Sequence, residues 1–372
     1  MKINVDNIVS NVIHALAWVV VVAYVIFAMH SARVHRSAQR VESVDILLTD
    51  SSATNRLLTS AMVEQWIEDS KIQTIGCLID SLELNRLEQR IKADGIVENV
   101  KAYATYNGKL VLSVDQREVV VRVMLNGYNS YASADNFIFR KPEQSACFVP
   151  VVTGDYLPIF GAGYVGSLAD TYKVQYDALS LEISRIEKRD KYPLYERRNQ
   201  LNDALHVVNT RYIGRRYTGE SRQDYAQRIE DLKARNARER KKYLEQLDNV
   251  ARQIKEKEKK QNVFVEKQKK LTKKYEDFIN LITFVSIIEN DDFWSSEIVQ
   301  LVASESAEGR LCLELIARSG SHTITFGTLD DIESKLSGLK RFYDRVLPTK
   351  KWGQVENISV EYAKQVVCKD RK

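Results

Sequence analysis

The sequence predicts an α+β protein with one apolar N-terminal helix and a long antiparallel helical hairpin inserted into a β-rich body. Three observations carry that class. Residues 12–29 form an apolar stretch in which nothing from Ala15 to Met29 is charged or strongly polar. Residues 43–117 alternate strand-like and helix-like patterns in the order β-α-α-β-β. Residues 167–275 repeat apolar side chains at helical spacing amid dense charge.

About 18 to 20 residues at roughly 1.5 Å rise cross a ~30 Å hydrocarbon core. Residues 12–30 therefore read as a single transmembrane helix, with 1–11 as a cytoplasmic tail and 31–42 as a linker. A cleaved signal peptide needs a basic start and a small-x-small cleavage site. Here only Lys2 precedes the run, and Ala28-Met29-His30 is a poor site. His14 falls at headgroup level rather than in a proton path. Arg33, Arg36 and Arg40 follow the stretch, so a positive-inside count places the body in the cytoplasm. Long domains, however, translocate largely regardless of that count.

A chain of 372 residues allows two or three domains. Its net charge of +5 hides an asymmetry: residues 167–275 hold 28 Lys and Arg against 17 Asp and Glu, net +11, leaving −6 elsewhere. The four cysteines, Cys77, Cys147, Cys312 and Cys368, include no CxxC pair, which argues against a zinc site and against a disulfide scaffold. The five histidines show no metal or triad spacing, and no P-loop or paired-carboxylate pattern stands out. The chain reads as a non-enzyme with no metal, no cofactor and no small-molecule substrate. Gly161-Ala162-Gly163-Tyr164-Val165-Gly166 matches G-x-G-x-x-G, but a dinucleotide site needs that motif inside a βαβ unit. A long charged helix follows instead, so the motif reads as a flexible hinge. No base-reading motif accompanies the basic segment, which argues against nucleic acid as a partner.

The elements follow in order. Residues 44–48 read as a strand. Thr59 caps a helix through Ala61, Met62, Trp66 and Ile67. Asp80 with Glu83 resembles a capping box opening a second helix, which carries Leu84, Leu87 and Ile91 and ends at Gly95. Residues 97–106 and 109–114 flank Asn107-Gly108, a strong hairpin signal. Residues 118–166 and 276–372 together form the β-rich domain. Its strands fall at 137–139, 148–152, 298–303, 311–317 and 322–326, with an apolar helix at 278–288. A helix at 336–347 is stopped by Pro348, and a last strand from 355 to 367 places Ile358, Val360 and Tyr362 on one face.

Between these halves, Tyr172, Tyr176, Leu179, Ile183 and Ile186 recur at alternating spacings of four and three. The rhythm resumes at Leu194, Leu201, Leu205 and Val208. A second arm carries Ile229, Leu232, Tyr243, Leu247, Val250 and Ile254, then Phe264, Leu271 and Tyr275. This is the pattern of a coiled-coil hairpin whose arms of about 45 residues would span about 65 Å. Pro193 is expected to kink the first arm. Lys257 and Gln261 fall on seam positions and weaken the pairing there. A solvated spacer and a docking rod for a helical partner or an anionic surface both fit the charge.

The order β-α-α-β-β just after one span resembles the bacterial cell-division family FtsQ/DivIB, whose membrane-proximal module is a POTRA domain. The residues that carry the resemblance are Ile79-Asp80, residues 97–100, Tyr106-Asn107-Gly108-Lys109-Leu110 and Gln116-Arg117, then Val151-Val152-Thr153-Gly154. Downstream they are Phe293-Trp294 with Ile298, Ile324-Thr325-Phe326-Gly327, residues 339–343 and Gln365-Val366-Val367-Cys368. The likeness covers nearly all of the chain outside 167–275, with Val119 where the family usually carries proline. It implies a POTRA domain at 43–117 and a bitopic, non-enzymatic scaffold of the divisome in the inner membrane. The N-terminus would be cytoplasmic and the body periplasmic, at the septum. It further implies FtsB- and FtsL-like partners, captured by β-augmentation on the last strand. By position the resemblance assigns the partner contacts to Tyr362, Lys364 and Val366, with Arg310 forming an ion pair. POTRA modules also serve in secretion and chaperoning, and an envelope tether acting through the coiled coil is a further alternative.

Overall fold

The computed structural model describes residues 16–31, 39–49, 55–143, 145–212, 214–319, 322–349, 354–362 and 365–371. It divides into two compact units. The first comprises Met1–Ser167, Asn280–Ser304 and Cys312–Lys372, and the second Leu168–Ile279 with Glu305–Leu311.

Helix α1 occupies residues 16–31, and all of its side chains are exposed. Its 16 residues extend about 24 Å, short of the ~30 Å of a hydrocarbon core. Among the described residues no helix is long and apolar enough to cross a membrane. Of the expected span at 12–30, residues 16–30 are helical, and residues 12–15 lie outside the described part.

The first unit contains a three-stranded sheet of β1 (Ser43–Thr49), β3 (Lys109–Gln116) and β2 (Val97–Ala104), in that order. β1 runs parallel to the central β3, and β2 runs antiparallel to it through the turn at Gly108, whose φ is +72°. Helices α2 (Ser60–Asp69) and α3 (Leu84–Lys92) supply Val63, Trp66, Ile67, Leu87 and Ile91 to the core beneath. Each such fully buried aliphatic side chain contributes roughly 1.5–3 kcal/mol. Thr59 caps α2 as expected, its hydroxyl accepting from the Met62 amide at 3.3 Å. The capping box does not form. Ile79–Ser81 makes a short 3₁₀ turn, and the Glu83 side chain pairs with Arg86 instead of capping α3. On the outer side of β2, the Ala102 amide donates to Glu88 Oε1 of α3 at 2.7 Å.

The core of this sheet continues into the β-rich part of the same unit through Val119, Tyr131 and Phe139. Gly95, which ends α3 with φ +78°, has no room for a Cβ: one would lie 2.7 Å from Val165 and 2.8 Å from Phe139. Buried Arg117 ties the junction together. Its guanidinium donates to the Gly95 carbonyl and to Asp135, and stacks 4.0 Å over the Phe137 ring.

The second sheet has ten strands. They are β4 (Val121–Leu125), β5 (Ser130–Ala132), β6 (Phe137–Arg140), β7 (Val151–Gly154), β8 (Gly166–Ser167), β9 (Ile298–Glu305), β10 (Leu311–Ala317), β11 (Thr323–Gly327), β12 (Val355–Ser359) and β13 (Val367–Asp370). Their spatial order is β13-β12-β11-β10-β9-β7-β4-β5-β6-β8, so the strands before and after the hairpin join where β7 lies parallel to β9. The expected last strand is broken in two. β12 ends at Ser359, and β13 returns antiparallel beside it. The glycine-rich segment before the hairpin is pinned rather than free, since Arg140 Nε donates to the Gly163 carbonyl and Tyr164 Oη to that of Ser167.

The second unit is an antiparallel hairpin. Its first arm comprises α4 (Leu168–Arg185), a π-helical turn (Ile186–Lys191) and α5 (Tyr192–Thr210); its second is α6 (Arg222–Glu289), whose residues from Asn280 belong to the first unit. The expected separate helix at 278–288 is therefore the end of this 68-residue helix. Pro193 does not break the first arm. It lacks an N–H and its ring clashes with the carbonyl four residues back. The wider π turn just upstream accommodates that clash without interrupting the helix. At the base Tyr172 stacks on Tyr275 at 4.3 Å, and further along Leu201, Val250 and Ile254 form a buried cluster. The polar seam positions are satisfied: Lys257 pairs with Asp190 at 2.8 Å, while Gln261 bonds Glu187 and accepts from buried Lys191.

Candidate partner-binding site

The open end of the large sheet is built from β11, the following helix α8 (Ile332–Arg345), β12 and β13. Helix α8 is amphipathic and buries Leu336, Leu339, Phe342 and Tyr343. Lys335 fixes the turn that leads into it. Its ammonium donates to the carbonyls of Phe326 at 3.2 Å and Thr328 at 2.6 Å and lies over the Phe326 ring, and burial pushes its pKa below the usual lysine range.

Between the outer face of α8 and the segment joining β12 to β13 runs a groove of about 800 Å³. Val360, almost wholly buried, donates its amide to the Thr325 carbonyl at 3.0 Å and holds the start of that segment down. Further on, the Gln365 amide donates to the Tyr362 carbonyl. Gly338 faces Val366 across the groove, where a Cβ would stand at ordinary contact distance, 3.7 Å from Val366 Cγ2. Arg341 and Arg345 line the groove together with Asp330, Asp331 and Glu361, so it offers partners of either charge.

Two of the expected contact residues, Tyr362 and Val366, line the same groove. Tyr362 is 60% exposed on the groove, and Val366 is half-buried within it. Both lie in the β12–β13 connection rather than on a strand. Lys364 lies outside the described residues. Arg310 belongs to the second unit, where its Nε meets Asp277 Oδ1 at 3.3 Å. Asp277 is buried and also accepts the Leu311 amide at 3.0 Å. The sheet ends in β13, a four-residue strand steadied by the Lys369–Glu356 pair at 3.0 Å.

Sequence reasoning missed the α8 wall. Ser334, Gly338, Arg341 and Arg345 recur at helical spacing on the face opposite the buried stripe, so periodicity alone pointed to it.

Among the described residues no group of three His, Cys, Asp or Glu is placed to hold a metal ion. What this arrangement can do is bind: an edge strand offers main-chain hydrogen bonds, and the adjoining groove offers side-chain contacts.

Two sequence comparisons bear on this site. Residues 243–369 match the family described as FtsQ/DivIB, C-terminal related, and residues 39–115 match the POTRA-like domain. The first match begins inside α6 and runs through the groove to β13, reaching further into the hairpin than the motifs quoted above and not including residues 118–166. No curated protein matches the chain.

Proposed function

Because the chain is a member of the FtsQ/DivIB family, with a POTRA-like domain ahead of its FtsQ/DivIB-related part, we propose that it is a non-enzymatic scaffold of the division machinery. Residues 12–30 anchor it in the inner membrane, and the body beyond them lies in the periplasm at the septum. Its partners are FtsB- and FtsL-like coiled-coil proteins. A partner strand adds to the β13 edge while the segment next to it lies in the groove beneath Tyr362. The observation that carries this reading is the groove itself: an exposed tyrosine and a side-chain-free glycine wall beside the terminal strand of a sheet. Main-chain pairing supplies affinity, and the groove supplies register.

Two substitutions test the site. Tyr362→Ala removes an exposed aromatic anchor and should weaken partner capture by roughly tenfold or more. Gly338→Trp fills the groove and should do the same, whereas Gly338→Ala should retain binding and raise helix stability by about 0.5–1 kcal/mol. The readout is affinity purification of tagged full-length protein from solubilised membranes, with partners identified by mass spectrometry and melting followed in parallel. Co-purification of small single-span coiled-coil proteins that is lost in Tyr362→Ala and Gly338→Trp supports the site. Retention by both variants would move the contact elsewhere, and recovery of an outer-membrane barrel instead would favour the secretion reading.

A further inference from the structure

Between the two arms of the hairpin, the described residues 211–212 and 214–221 are tied back to the helices by two arginines. Arg211 at the start of this segment is locked to α6 through Asn236 Oδ1 at 2.8 Å and Glu239 Oε2 at 3.0 Å. Arg228 closes the other side, with Nε to Glu220 Oε1 at 2.7 Å, Nη2 to Glu220 Oε2 at 3.1 Å and to the Arg215 carbonyl at 3.2 Å. Its guanidinium also lies 4.3 Å from the centre of the Tyr217 ring. With Arg211 and Arg228 used internally, Arg215, Arg216 and Arg222 project from the tip, exposed and in no ion pair among the described residues. Tyr212 and Tyr217 stand beside them, 75% and 65% exposed.

We infer that this tip is a docking surface for an anionic phospholipid bilayer. Residues 211–222 carry four arginines against one glutamate, and tyrosine flanking arginine suits the headgroup layer, where the ring meets the acyl boundary and the guanidinium meets phosphate. A cavity on the first turns of α6 is lined by Asp224, Gln227, Arg228, Asp231, Leu232 and Arg235. Its two aspartates disfavour an acidic peptide, and the arginines of the loop lie outside it. A second copy is disfavoured as well, since two tips meeting would bring like charges together. The first arm spans about 65 Å from Leu168 to Thr210, so the contact lies far from the hairpin's own base.

The test uses the full chain reconstituted in phosphatidylcholine nanodiscs and mixed with separate vesicles. These contain phosphatidylcholine alone or with about 30% phosphatidylglycerol, a fraction that gives a clearly negative surface. The nanodisc complex should co-sediment with the anionic vesicles only, and release as salt rises from about 0.1 M to about 0.5 M. Arg215→Ala combined with Arg216→Ala should weaken recruitment roughly twentyfold, while Tyr212→Ser should weaken it less. Both sites are solvent-exposed, so helicity by circular dichroism should not change. Equal binding to neutral vesicles, or undiminished binding by the double arginine variant, overturns the inference. So does concentration-dependent self-association without vesicles that the same variant abolishes. None of these outcomes depends on the division partners, so this inference and the proposed function fail separately.

Discussion

His322 shows how one side chain ties the stability of the first unit to pH. It is buried, with Nε2 2.6 Å from Tyr343 Oη, and the Tyr343 ring packs edge-on against Phe293 and Trp294. Burial lowers the His322 pKa below its ordinary value of about 6.5. Burial, and secondarily the Glu297 carboxylate, raises that of Tyr343. Below about pH 6.5 the unfolded chain takes up a proton that folded His322 resists, so stability is full above that pH and declines as pH falls toward the folded value. Melting temperature should therefore drop between about pH 7 and pH 5, and His322→Gln should flatten that part of the profile even though it costs the Tyr343 contact. An unchanged slope in the variant would assign the dependence to other groups. Nothing near His322 in sequence announces this role, because its partner stands on α8 and the aromatic cage comes from α7 (Asp292–Glu297). Burial of a polar residue by distant elements leaves no local pattern. Thr59, Gly95 and Gly108 were legible for the opposite reason: a cap and two positive-φ turns are decided within a few residues.

At the scale of elements, most strands and helices were readable, and the two main misreadings share a cause. Residues 355–367 alternate as a strand should, yet β12 ends at Ser359: the Val360 amide still donates to the Thr325 carbonyl of β11, and Val366 then stands beside Gly338 of α8, off the strand. No glycine or proline between 360 and 366 marks that end. The second concerns α6, where an all-round apolar end at 278–288 looked distinct from the charged arm before it. In fact residues 222–289 contain neither glycine nor proline, so nothing local stops the helix. The polar seam of the hairpin gives a further prediction. Lys191 is buried against Glu187, and both Glu187 and Asp190 are held below the usual carboxylate range, chiefly by their hydrogen bonds to Lys191 and Lys257. Their contribution is present above about pH 4 and is lost as pH falls through the lowered folded values. Glu187→Ala should destabilise the hairpin by roughly 1–3 kcal/mol, since it leaves a buried ammonium with only the neutral partners Gln261 and Tyr195 among the described residues. Helicity melts at neutral pH would show it; a loss of under a few tenths of a kcal/mol would mean that Gln261 and Tyr195 satisfy the lysine without the carboxylate.

At the scale of the molecule, the hairpin departs from and returns to the chain at one place. The Tyr172–Tyr275 stack brings its two ends within ring contact, so a short linker bridges them. Replacing residues 173–271 by a few glycines and serines should leave the first unit folded, with a cooperative melt and unchanged tryptophan fluorescence. Aggregation of that variant would show that the hairpin is required for folding. The edges of the small sheet govern a different property. A stack of strands lengthens without limit only when each copy can accept a neighbour on both sides. With the Glu88 carboxylate seated on the Ala102 amide, one of the outward donors of β2 is already taken, and a neighbouring strand pairs there only by displacing it. Masking that donor makes the β2 side the poorer acceptor of a neighbouring copy, which works against open-ended strand stacking through this sheet.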